Sequence, residues 1–216
     1  MASTAKLAQG ATLAIAGTAG SAITITAITK AKPAVVTGTN TLAVGDAVVF
    51  TVATGMPEIV GRIGLVTVAA GGSFTVNIDA SGFAAAATGG TASPQTWTII
   101  NNLKDFNGLE GMVSEIDVTN LSSIGKEFVP GLEDFGGVTG TVDLDPADAG
   151  QIACMLAKSQ QTSTYFRMLY PTAGNVRRVF LGFVKKFGEQ VGVDSVVKSP
   201  FEIRATGRVA RTEVVN

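Results

Sequence analysis

The sequence has no histidine, a single cysteine, one tryptophan and two tyrosines, and only 15% of its 216 residues are charged. Each shortage removes a class of function. Without imidazole there is no Ser-His-Asp or Cys-His nucleophilic site and no histidine-ligated zinc. One thiol, Cys154, gives neither a disulfide framework within the chain nor a multi-thiolate metal centre. Beside Met155 it reads as a packed, inert core residue. Sixteen basic residues against 17 acidic leave a net charge of −1, which argues against gripping nucleic-acid phosphates, because that needs a clustered positive field. With so few aromatics there is no sugar platform, so Glu133-Asp134 and Glu115/Asp117 read as solvated surface rather than as a glycosidase acid pair. A long apolar run is missing too. The uncharged stretch from Leu7 to Thr29 is broken by Gln9, Gly10, Thr12, Gly17, Thr18, Gly20 and Ser21, far short of the ~18 apolar residues of a spanning helix. It is also too diluted for a signal-peptide core. The expectation is a soluble β protein made in the cytoplasm, with no membrane contact, no metal and no cofactor.

What is present is glycine, at 26 residues, and alternation. Net charge near zero with a mean hydropathy of +0.36 favours self-association over dispersal. Charges divide the chain unevenly: residues 1–93 carry seven, and residues 94–216 carry the other 26. The poorly charged part shows short β-rich runs between glycine turns, among them Asp46–Val52 and a hairpin of Leu65–Val68 with Phe74–Ile78 across Gly71-Gly72. In the second part, Met112, Ile116 and Val118 alternate with Glu115 and Asp117. Val138, Val142 and Leu144 share one face of a further strand. Thr164–Tyr170 and Val176–Phe187 form a hairpin across Pro171–Gly174, and Phe201, Ile203 and Ala205 alternate with Glu202, Arg204 and Thr206.

One helix is expected. Asp145 reads as its N-cap, Pro146 fits the first turn, and Asp148 complements the helix dipole. Ala149, Ile152, Ala153 and Leu156 then form the stripe that would pack on the sheet. Capping accounts for Asp143, Asp145 and Asp148 better than calcium does, since no glycine-centred ligand loop follows. Gly125-Lys126 lacks the spacing of a phosphate loop. Arg177-Arg178 and Lys185-Lys186 read as solvated strand ends. The segment Asn120–Gly136 is less ordinary. It is too long for a tight turn, yet Leu121, Ile124, Phe128, Val129, Leu132 and Phe135 punctuate it, and apolar side chains on an extended segment need something to bury them. A neighbouring subunit or the segment's own core would serve.

Several segments together carry a family likeness. Glu115-Ile-Asp-Val-Thr-Asn-Leu-Ser-Ser, Lys126-Glu-Phe-Val-Pro-Gly-Leu-Glu-Asp-Phe-Gly, Asp145-Pro-Ala-Asp-Ala-Gly-Gln and Phe180-Leu-Gly-Phe-Val-Lys-Lys-Phe occur in that order, followed by Gly192-Val-Asp and Ala205-Thr-Gly. The chain resembles the tail tube (major tail) proteins of long, non-contractile-tailed phages, over residues 97–210 and the first twenty. Thr12-Leu-Ala-Ile and Trp97-Thr-Ile-Ile look like that family's opening strands. Between them, Val44-Gly-Asp-Ala-Val-Val-Phe, Gly55-Met56 and Ile59-Val-Gly are similar to a small β-domain found in many phage tail proteins.

The resemblance implies a mainly β fold: a tail-tube-type β-sandwich or barrel of residues 1–20 and 94–216 with one flanking α-helix, and a small inserted β-domain at 21–93. It implies a structural virion protein, not an enzyme, whose homohexameric rings stack into a tube through which double-stranded DNA passes without specific binding. Tail tip or baseplate, tail terminator and tape measure proteins are the implied partners. The subunit and ring interface would fall on Leu121, Ile124, Lys126, Phe128, Val129, Pro130, Leu132 and Phe135. The alternatives are another six-fold tube, such as a contractile-tail or secretion-system inner tube, and a monomeric surface or carbohydrate-binding β module.

Overall fold

The computed structural model describes residues 8–171, 175–207 and 209–211. In chain order the strands are β1 (Thr12–Ala19), β2 (Ile23–Ile25), β3 (Ala27–Ile28), β4 (Ala34–Thr37), β5 (Ala47–Thr54), β6 (Ile63–Ala70), β7 (Ser73–Val76), β8 (Gly89–Ile99), β9 (Leu103–Gly108), β10 (Met112–Asp117), β11 (Phe128–Asp134) and β12 (Gly137–Asp143). Helix α1 (Ala149–Ser159) follows, then β13 (Thr164–Tyr170), β14 (Val176–Phe187), β15 (Lys198–Ala205) and β16 (Ala210–Arg211). The fold is mainly β, with one α-helix among the described residues. Its strands form a large antiparallel sheet in the order β3-β4-β7-β6-β5-β8-β1-β13-β14-β15-β12-β9, with β2 and β16 attached at its sides and β10-β11 standing apart. Among the described residues no helix is long and apolar enough to cross a membrane.

Alternation places the cores. Val138 and Val142 on β12, Phe166 and Met168 on β13, and Phe201, Ile203 and Ala205 on β15 point inward to one cluster, with Leu13, Ile15, Phe180 and Val184. Phe166 stacks on Phe180 at a ring separation of 5.7 Å. A second cluster draws wholly on residues 23–92, including Phe50, Phe74, Ile59 and Met56. The Gly71-Gly72 turn joins β6 to β7, as its sequence predicts, with Ala70 opposite Ser73. β8 runs unbroken through Ser93 and Pro94, where the charge distribution had placed a boundary. Its first half pairs with β2 and β5 and its second half with β1. Between the two clusters Ala47, Leu65 and Val179 are buried together. Polar links bind the same junction: Arg177 Nη1 donates to the Val44 carbonyl at 3.1 Å, Asn77 Nδ2 to the Arg211 carbonyl at 2.8 Å, and Tyr165 Oη to the Gly61 carbonyl at 3.2 Å.

The helix differs from its sequence reading in two ways. Its N-cap is Asp148, whose Oδ1 accepts from the Gln151 amide at 2.8 Å, not Asp145. Asp145 instead organises the turn before it, accepting from the Ala147 amide at 3.0 Å, and Pro146 lies in that turn outside the helix. The shift has a cause in packing. Asp148 also accepts from Asn101 Nδ2 at 2.6 Å, and Gln151 Nε2 donates to the carbonyls of Asn101 and Asp143, so the helix start is tied to the ends of β8 and β12. Gly150 lies so close to β8 that a Cβ would come 2.3 Å from the Ile99 carbonyl oxygen. That docking turns Gly150, Gln151, Cys154 and Ala157 inward and leaves Ile152 and Leu156 facing outward. Cys154 is buried, and desolvation pushes its thiol up to about 12, so it is not a nucleophile at neutral pH.

Candidate assembly interface

The segment from Met112 to Asp134 is a long hairpin that stands off the body of the protein. Among the described residues β10 pairs only with β11, from Met112 opposite Asp134 to Asp117 opposite Phe128, and neither strand joins the main sheet. Of the segment Asn120–Gly136, the first part is the hairpin tip and Phe128–Asp134 is a strand returning along β10. The ladder slips by one residue beyond Val113, where Ser114 Oγ donates to the Leu132 carbonyl at 3.2 Å. Gly131 belongs there because a Cβ would come 2.4 Å from Ser114 Oγ.

Both ends of the hairpin are fixed. At the tip, Asp117 accepts from the Thr119 amide at 2.9 Å, Asn120 Oδ1 from the Ser122 amide at 2.9 Å, and the Glu127 amide donates to Thr119 Oγ1 at 3.1 Å. The Thr119 hydroxyl and amide hold the Asp117 carboxyl below its ordinary range. At the root, the Leu109 amide donates to the Gly137 carbonyl at 2.7 Å, and Asp134 accepts from the Gly136 amide at 2.9 Å and pairs with Arg204 on β15. The Gly136 amide, then the Arg204 guanidinium, hold the Asp134 carboxyl low.

Between these anchors the hairpin carries apolar side chains on both faces that no core of the described residues takes in. Cross-strand partners share a face. Ile116 stands with Val129 on one side, and Pro130 and Phe128 oppose Glu115 and Asp117 on the other. All are exposed. Leu132 is 88% accessible, Met112 is 73%, and Leu121 and Ile124 at the tip are fully open. A two-stranded ribbon alone in water is marginal, and an exposed apolar surface of this extent marks a place of contact.

Of the residues expected at the interface, Leu121, Ile124 and Lys126 lie in the tip, and Phe128, Val129, Pro130 and Leu132 lie on β11. Phe135 is set apart, for it leaves the hairpin and packs against the main core. Sequence reasoning missed Met112, Val113 and Ile116 on the first strand. Their alternation with acids is the same signal that a half-buried strand gives, so nothing local distinguishes a projecting ribbon from a core strand. Six carboxylates and the single Lys126 give residues 110–134 a net charge of −5. The hairpin is thus an acidic arm with apolar sides. Of the aspartates considered as a metal site, Asp143 pairs with Lys104 at 2.7 Å, Asp145 accepts from the Ala147 amide and Asp148 caps the helix. No protein-family model matches the chain, and no curated protein matches it.

Proposed function

We propose that the chain is a self-assembling structural subunit, a tail tube protein of a phage with a long, non-contractile tail. The observation that carries this reading is the β10–β11 hairpin, which is held at tip and root yet leaves its apolar residues uncovered. Fully burying one such side chain is worth about 1.5–3 kcal/mol. Half a dozen, partly covered already, would contribute roughly 10 kcal/mol, against an association cost of about 4–15 kcal/mol. One hairpin contact is therefore marginal and many repeated contacts are not, which is the energetic profile of a subunit that holds only within an assembly. Contacts between unlike surfaces close into rings by rotation or extend by translation. On this reading six copies form a ring and rings stack into the tail tube of the virion. Tail tip, terminator and tape measure proteins are its partners, and double-stranded DNA passes through without being gripped. The near-neutral net charge of −1 suits a conduit that must not hold phosphates. The role is mechanical, and no reaction is assigned to it.

Negative-stain microscopy of the purified full chain over a concentration series, with light scattering alongside, tests the proposal. Rings or tubes with six-fold end views are expected. A chain that scatters as a monomer throughout the series counts against it.

A further inference from the structure

Ladder pairing between β9 and β12 fixes the direction of the backbone groups at the edge of the sheet. The Leu109 amide donates to the Gly137 carbonyl, and Asn107 stands opposite Thr139 two residues earlier. Bonded and unbonded pairs alternate along an antiparallel ladder. Asn107 and Leu109 therefore hold bonded positions, and Gly108 between them turns its amide away from β12. β9 is the last strand of the sheet order, so among the described residues no strand takes up that amide, and it donates no hydrogen bond there.

The residue before this free amide is an asparagine. Asn107 is exposed, and its Nδ2 donates to Glu110 Oε1 at 3.1 Å. Of the asparagines in the chain only Asn107 is followed by glycine. A side chain on the following residue hinders approach of its amide nitrogen to the carboxamide, and glycine has none. Position 108 cannot exchange its glycine for a larger residue. A Cβ there would come 2.5 Å from the Gly137 carbonyl oxygen and 2.7 Å from Val138 Cα. The close approach of β9 to β12 thus keeps in place the residue that leaves Asn107 open to attack.

We propose that Asn107-Gly108 is a site of spontaneous deamidation, and that its conversion loosens the root of the β10–β11 hairpin. The Gly108 nitrogen, its proton taken by hydroxide, attacks Asn107 Cγ. The N–Cγ bond forms, the Cγ–Nδ2 bond breaks, and ammonia leaves carrying a proton from water. Water then opens the succinimide, giving either an aspartate or an isoaspartate whose backbone runs through the former Cγ and is one atom longer. Nothing is oxidised or reduced. Both products place a carboxylate where Nδ2 donated to Glu110 Oε1, so a hydrogen bond becomes repulsion between like charges. The longer backbone of the isoaspartate also displaces the next paired group, the Leu109 amide on the Gly137 carbonyl, at the hairpin root. Attack requires the extended backbone at Asn107 to rotate, so the reaction proceeds through local opening of the strand end. Its rate is lower than in the unfolded chain but is not zero. Nothing in this depends on self-assembly.

The test incubates the full chain in mildly acidic, neutral and mildly alkaline buffer and follows the tryptic peptide 105–126 by mass spectrometry, with isoaspartyl methyltransferase labelling of the same samples. A gain of about one mass unit, placed at Asn107 by fragmentation and accompanied by isoaspartyl label, should appear faster as the pH rises. It should run several-fold ahead of Asn120, which lies exposed in the hairpin tip of the same peptide but precedes Leu121. Asn107→Gln keeps a carboxamide but would need a six-membered ring, so it should remove the signal. Conversion in the urea-unfolded chain and none in the folded one overturns the proposal, because the ladder then protects the bond. Conversion at Asn120 level with or ahead of Asn107 overturns it as well. Hydrogen exchange reads the structural half: the Leu109 amide should exchange faster in converted protein than in fresh protein, and equal exchange overturns the link to the hairpin root.

Discussion

Arg204, on β15 of the main sheet, pairs with Asp134, the last residue of the projecting hairpin, so the arm is fastened to the body by charge at its root. The same carboxylate accepts from the Gly136 amide, which is the larger cause of its lowered pKa. Asp134 should therefore titrate below the ordinary 3.8 in the folded protein. A folded value below the unfolded one means that the stabilisation is complete above the unfolded pKa and is lost as the pH falls through the folded value. The hairpin root should loosen only in strong acid. Carboxyl titration by NMR checks this: Arg204→Gln should move Asp134 part of the way back, and an unshifted Asp134 in the wild type would contradict the pairing.

Replacing Phe128 and Leu132 together with Ser should abolish assembly while leaving the monomer folded. Neither side chain touches a core, so stability should change by about 0.5 kcal/mol or less per site, as at other exposed positions. Microscopy and a thermal melt on the same sample separate the two effects. Tubes or rings from the double variant would remove the hairpin from the interface.

Much of the sheet was legible because β-strands buried on one face declare themselves in pairs. Val138 with Val142, and Phe201 with Ile203 and Ala205, fall inward as their alternation predicts. The hairpin's outward fate was not legible, because Met112 and Ile116 alternate with acids in the same way, and it is the lack of further neighbour strands among the described residues that exposes them. The helix was misread for a related reason. Ile152 and Leu156 are the larger side chains and look like the packing stripe, but close approach to β8 admits only Gly150, and this orients the helix by its smallest residue.

That correction makes a comparison of two aspartates informative. Asp148→Ala should cost about 1–2 kcal/mol, since it removes the cap on Gln151 and leaves Asn101 without its carboxylate partner. Asp145→Ala removes one hydrogen bond to the Ala147 amide in a turn outside the helix and should cost well under half of that. Urea denaturation of both variants gives the ranking, and a larger cost at Asp145 would restore it as the cap.

Gly45 offers a test of how the 23–92 core is fastened to the main sheet. Its φ of +89° is strained for any L side chain, and a Cβ there would fall 1.0 Å from Arg177 Nη1. Arg177 holds the Val44 carbonyl from that position, so Gly45→Ala must displace the guanidinium as well as strain the backbone. Backbone strain alone costs about 1–3 kcal/mol. In an Arg177→Ala background the steric part vanishes and the strain remains, so the same glycine substitution should cost less. A double-mutant cycle in urea should return a coupling of about 1 kcal/mol between the two sites. Equal costs in both backgrounds would mean that Arg177 does not occupy the space above Gly45 in solution, and the junction would then rest on Ala47, Leu65 and Val179 without this polar clasp.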